Sequence, residues 1–303
     1  MQTSKSPKQT ARVAYLAAKE ALPPYNHQCS PHKFTQPQLV ACLVLKEFFA
    51  TDYRGITAIL EDSSDLRKVL ALKTVPHYTT LQKAAARLLK KKIMRKLIAG
   101  ILTIAAQEKL IKPKVQLAAL DSTGFESHHV SHYFVKRRSK NDPLQYQQTT
   151  YARYPKLGLV CDCANHLILS GVTGQGPGPD ITHYQEALSE ASQQRPLDTL
   201  LADAGYDSEA SHSLVRTKYH TKTIIPARIG RPTTKLPLTH YRRQMATNFD
   251  RQTYGQRWQV ETVMSMLKRN FGAALKARSY WSQSREMMLR VFSHNVMIVL
   301  PVF

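Results

Sequence analysis

At Pro113 the apolar pattern of this 303-residue chain changes its period. Upstream, Leu39, Cys42, Leu43 and Leu45 to Phe49, then Tyr53, Ile56, Ile59 and Leu60, recur at helical spacing. After Pro76, Thr79 or Thr80 is the expected N-cap of one helix through Leu110, its apolar positions Leu81, Ala85, Leu89, Ile93, Leu97 and Ile101 stepping by four. Downstream come short apolar runs: Val115 to Leu120, Leu157 to Cys163, Leu167 to Val172, Leu200 to Ala202 and Thr223 to Pro226. Ala164-Asn165-His166 reads as a hairpin turn. Helices are expected at Ile181 to Ala191, capped by Asp180, at Ser208 to Thr217, at Arg251 to Asn270 and at Ser282 to Leu300. This order predicts an α/β fold: a mixed sheet flanked by helices, preceded by an all-helical N-terminal domain. The expected divisions are a basic, loosely ordered lead-in at 1–37, a helical domain at 38–113 and the sheet domain at 114–303. Residues 228–249 read as basic, polar and irregular.

Charge narrows the partner. Lys and Arg number 43 against 21 Asp and Glu, a net +22. Such a balance favours a polyanion, nucleic acid before an acidic membrane surface. Four scattered cysteines, Cys29, Cys42, Cys161 and Cys163, do not make a disulfide framework and suit a reducing cytosol. The N-terminus has no apolar leader core, and the apolar run from Val296 to Phe303 is too short to cross a bilayer. A soluble intracellular protein is expected.

Two acids close predicted strands: Asp121 before Ser122-Thr123-Gly124, and Asp203 before Ala204-Gly205-Tyr206-Asp207. Ligands bind at such strand ends in open α/β sheets. On the helix that follows, Tyr254, Arg257, Glu261 and Lys268 fall within about 60° of one another. From Arg228 to Arg278 there are eleven Lys or Arg and two acids, Asp250 and Glu261. One carboxylate kept inside such a basic stretch suggests a purpose beyond an ordinary i,i+4 pair. Three carboxylates amid phosphate-binding cations suit Mg²⁺, which takes oxygen ligands and is held by few carboxylates plus substrate phosphate. A pair of such ions about 3.5–4 Å apart serves in-line displacement at phosphorus.

These residues resemble the DDE transposases of the IS4 and IS5 groups of bacterial insertion sequences. The pattern Tyr254-x2-Arg257-x3-Glu261-x6-Lys268, behind the two acid-bearing segments in the right order, carries the likeness over residues 38 to 300. The resemblance implies a ribonuclease-H-like core, with Asp121, Asp203 and Glu261 as a catalytic triad holding two Mg²⁺ ions, Mn²⁺ being able to substitute. It implies that Tyr254, Arg257 and Lys268 grip DNA near the cleaved end. The reaction would be metal-dependent hydrolysis freeing 3′-OH ends, which then join target DNA by transesterification. The implied partners are the element's terminal inverted repeats and target DNA, bound by a homodimer on paired ends in the bacterial cytoplasm, at the nucleoid. Residues 228–249 leave no room for the large β-domain that some relatives insert before the Glu helix.

Other features admit plainer readings. His128, His129 and His132 cluster with Lys136, Arg137 and Arg138, but their one fitting acidic partner for zinc is Glu126, so a basic hairpin touching DNA is the better reading. Asp207 reads as an N-cap and Trp258 as core. The cations Lys83, Arg87, Lys90, Lys91, Arg95 and Lys96 form either a solvated face or a phosphate-contacting one. Asp52 to Leu89 has the proportions of a helix-turn-helix, a pattern common to all-α domains. A DNA-binding descendant that no longer cuts, such as a repressor, needs none of the three acids; their presence favours an enzyme.

Overall fold

The structure, a computed structural model, describes residues 5–29, 31–127, 154–176, 178–227 and 235–300. Six helices come first: α1 (Pro7–Ala21), α2 (Gln36–Phe48), α3 (Tyr53–Asp62), α4 (Ser64–Val69), α5 (Tyr78–Leu88) and α6 (Lys91–Gln107). Within the lead-in, residues Pro7–Ala21 form the helix α1. Ser6 caps α1, Pro7 opens it, and Ala11, Val13, Ala14, Ala17 and Ala18 are buried. A face of small side chains lets α1 press against α6, where a Cβ on Gly100 would lie 2.6 Å from the Ala17 carbonyl. The expected helix through Leu110 is two helices. α5 ends at Leu88 and Lys90 caps α6, while His77, not Thr79 or Thr80, caps α5.

After Pro113 the strands begin: β1 (Val115–Gly124), β2 (Glu126–Ser127), β3 (Tyr154–Asp162), β4 (Ile168–Gly176), β5 (Leu197–Leu201), β6 (Lys222–Ile224) and β7 (Ala274–Leu275). Five of them form one sheet in the order β4-β3-β1-β5-β6. β3 is antiparallel to both β1 and β4, whereas β1, β5 and β6 run parallel. The predicted hairpin turn holds. His166 takes a positive φ of 65°, and Asp162 is buried and bonds the Ala164 amide and the Asn165 side chain.

The later helices are α7 (Tyr184–Gln194), α8 (Glu209–Ser213), α9 (His240–Thr247), α10 (Arg251–Tyr254), α11 (Trp258–Phe271) and α12 (Tyr280–Val299). Asp180 opens a 3-10 turn ahead of α7, whose N-cap is His183. α9 lies inside the stretch expected to be irregular; its apolar signal is weak, with Met245 its buried residue. α7 packs on β3 and β4, and α11 on β1 and β3. α12 reaches both halves, packing on β3 and β4 and on α1, α2 and α6. The helical region and the sheet thus share one apolar core.

This is the ribonuclease-H-like mixed sheet flanked by helices that the sequence predicts, with a helical N-terminal region. Cys42, Cys161 and Cys163 are buried free thiols, and burial pushes Cys163 up to about 12. Among the described residues no helix is long and apolar enough to cross a membrane. The histidine cluster at 128–132 and its basic neighbours lie outside the described residues.

Candidate active site

Asp121 does not close β1. The strand runs on to Gly124, because antiparallel β3 continues to pair with it, Asp121 opposite Leu159. On its other edge the pairing with β5 stops at Ala119 opposite Leu201. Asp121 therefore stands just beyond the parallel pairing, beside the end of β5. Asp203 lies two residues past β5, where its Oδ1 accepts the Gly205 amide at 2.6 Å and caps a 3-10 turn over Ala204–Tyr206. Open α/β sheets bind ligands at strand ends of this kind.

The third acid comes from across the sheet. The chain turns from α10 through a 3-10 turn at Gly255–Arg257 into α11, whose first turn carries Glu261. Arg257 joins the elements. One guanidinium nitrogen lies 3.1 Å from Asp121 Oδ2, and the other bonds Glu261 Oε1. Burial opposes the charge on Arg257, but Tyr254, Asp121 and Glu261 outweigh it and raise its pKa. The phenol of half-buried Tyr254 is held above its ordinary value, first by burial and then by the Asp203 and Asp121 carboxylates, against the pull of Arg257. Tyr254 thus senses both aspartates and the arginine at once.

Lys268 sits about three turns into α11, its ammonium 5.7 Å from the centre of the Phe125 ring. It lines a shallow cleft of about 410 Å³ with Glu261, Met264, Ser265 and Arg269. Trp258 is not core: it is 53% exposed beside Arg257.

Donor chemistry suits a hard divalent ion, since all three acids are carboxylates. Their demand for positive charge is visible in the guanidinium that Asp121 and Glu261 share. Among the described residues no three His, Cys, Asp or Glu already meet as a group that could hold a metal. Arg257 stands between two of the candidates.

Two features escaped sequence reasoning. Asp207 does not cap a helix; Ser208 does, for α8. The Asp207 side chain is buried, 2.8 Å from Arg242 Nε and 3.5 Å from His212 Nε2. With Glu209, which accepts the Tyr241 and Arg242 amides, it fastens α9 to the loop that carries Asp203. The second is Arg290 on α12, which bonds the Gly272 and Ala274 carbonyls and lies 5.6 Å from the Phe125 ring. The charged i,i+4 pair Glu286 and Arg290, which encloses the apolar run Met287 to Leu289, is the signal that could have found it. In the basic row, Lys91 and Arg95 pair with Glu186, and Arg95 also with Glu190.

A family model described as a transposase DDE domain matches residues 113–296, which takes in every residue of this site. No curated protein matches the chain.

Proposed function

The chain belongs to the transposase DDE-domain family, and from that premise we propose that it is an active transposase of the IS4/IS5 kind, cutting the ends of its own insertion sequence and joining the freed 3′-OH ends to target DNA. The observation that supports this reading is the Arg257 bridge, in which one guanidinium contacts Asp121 of β1 and Glu261 of α11.

Asp121, Asp203 and Glu261 are the residues to hold divalent metal, as two Mg²⁺ ions or Mn²⁺ in their stead. Metal bound there would supply Lewis acidity, favouring ionisation of the attacking hydroxyl and offsetting charge on the leaving oxygen. The chain's own cations do the rest. Arg257 and Lys268 hold the phosphate backbone and spread the negative charge that builds up at phosphorus. Tyr254 offers its phenol as a hydrogen-bond donor, and its raised pKa keeps that proton in place. Helices within 38–113 bind DNA alongside the catalytic domain at 114–303. The partners are the terminal inverted repeats and target DNA, bound by a homodimer on paired ends at the bacterial nucleoid.

The test is strand cleavage by the purified protein on DNA carrying the element's own flanking ends. Mg²⁺ is compared with EDTA, and wild type with Asp121→Asn and Glu261→Ala. Metal-dependent 3′-OH formation at the ends, lost in both variants while DNA binding persists, is the expected result. Binding without cleavage by wild type would leave a DNA-binding descendant that no longer cuts. Normal cutting by Glu261→Ala would sink the site assignment.

A further inference from the structure

Arg257 occupies a position that the proposed metal chemistry also needs. Its two terminal nitrogens contact carboxylates from two different elements, Asp121 of β1 and Glu261 of α11. Without a cation between them, two carboxylates facing one spot repel and one would tend to take up a proton. The planar guanidinium fork suits this task because it offers two donors in fixed geometry. Lys268, on the same helical face, is set differently, over the Phe125 ring. The bridge is also open to exchange: the side chains of Arg257 and Asp121 keep 21% and 17% of their surface exposed, and that of Glu261 keeps 56%. A cation held this way can leave for another anion without uncovering a buried charge.

We propose that Arg257 is the resident counter-ion of the metal-free site, holding Asp121 and Glu261 together until divalent metal replaces it and frees the guanidinium for a DNA phosphate. This rests on the reading of Asp121, Asp203 and Glu261 as metal ligands. It adds a coupling to that reading. Metal and phosphate each favour the same displaced arginine, so each raises the other's affinity, and by the same factor. The free protein is thereby kept from loading metal fully before DNA arrives.

The experiment is calorimetric titration of Mn²⁺ alone into the full chain without DNA. Wild type is compared with Arg257→Gln, Arg257→Lys and Lys268→Gln, each checked for folding by thermal melting. Arg257→Gln should bind Mn²⁺ about tenfold tighter than wild type, a coupling of ordinary size. Arg257→Lys keeps the charge but loses the fork, so it should also tighten binding, by less; it carries the test if the glutamine variant does not fold. Lys268→Gln removes the same charge without touching the bridge and should change little. Equal tightening by Lys268→Gln would reduce the effect to general electrostatics and overturn the proposal. So would unchanged or weaker binding by both Arg257 variants, with the metal site itself left standing. No Mn²⁺ binding by wild type or any variant would remove the metal site and the proposal together.

Discussion

Arg257 and Arg290 each bridge two carboxylates, and each takes one of them from four residues away in its own helical run. Arg257 pairs with Glu261 and with Asp121 from β1. Arg290 pairs with Glu286 and with Glu47 from α2. Residue types and spacing are nearly the same; burial is not. In the second cluster the Arg290, Glu47 and Glu286 side chains are 1%, 7% and 9% exposed, while Glu261 in the first keeps over half its surface. Most polar atoms of the buried cluster are also committed within the fold. Arg290 donates to two carbonyls, and Glu286 accepts the Lys276 and Ala277 amides at 3.0 and 2.9 Å. It ties the segment after α11 to α12 and to the N-terminal helices. Its work is finished when the chain folds. The open cluster keeps capacity for a ligand, and that spare capacity, more than the presence of charge, separates a site from a strut.

The largest effect should come from breaking the strut. Arg290→Ala leaves buried Glu286 without its cation and Glu47 with Lys46 alone, a loss of about 3–5 kcal/mol by analogy with other buried pairs. Denaturant unfolding would measure it. Adding Glu286→Gln should recover part of that loss, since the uncompensated charge goes with it. A loss below about 1 kcal/mol for Arg290→Ala would mean the cluster is as replaceable as a surface pair.

Acid gives a second, smaller effect on the same helix. His294, one turn beyond Arg290, is fully buried, and burial pushes it down to about 4 against the pull of the His166 carbonyl, 2.9 Å from its Nε2. Once unfolded, the imidazole regains its ordinary pKa near 6.5. The unfolded chain then takes up the proton first as pH falls, so stability is whole above about pH 6.5 and is lost on the way down to about 4. The loss from this group approaches about 3 kcal/mol. Buried His212, also lowered chiefly by burial, adds to it with the same sign. Unfolding free energy followed from pH 7 to 4 should fall, and His294→Gln should flatten the profile. An unchanged slope in that variant would place the acid sensitivity elsewhere.

How far the sequence foretold these clusters depends on what each needed. The change of period at Pro113 and the turn residues of the β3–β4 hairpin are local signals, and they were enough to read the sheet and its helical preface. α1 was missed because its buried face is largely alanine, too weakly apolar to register before its partner Gly100 is known. The break between α5 and α6 was missed because apolar steps of four run straight across Leu89 and Lys90. The pairing of Arg257 with Glu261 four residues on follows from local geometry alone, although a 3-10 turn at Gly255–Arg257 divides the one helix expected from Arg251 to Asn270. That Arg257 also reaches Asp121, 136 residues back, does not, since only the packing of α11 on β1 makes it so. Asp207 was misread for the same reason: its partner Arg242 lies 35 residues on, in a helix with little apolar signal.

The smallest stability effect belongs to the open cluster, and it sharpens the contrast most. Arg257→Ala gives up two partly solvated ion pairs, each of the kind that contributes about 0–1 kcal/mol, so unfolding should shift by less than about 1 kcal/mol. Function should move instead. If the freed guanidinium holds one phosphate, the salt dependence of end binding should become less steep by about one, at every DNA sequence tried. Both quantities come from one protein preparation, by denaturant unfolding and by DNA titration across a salt series. A small stability change with a shallower slope would set Arg257 apart from Arg290 by role as well as by burial. A stability loss as large as that of Arg290→Ala, with the slope unchanged, would make Arg257 a second strut, and the difference in exposure would then carry no functional meaning.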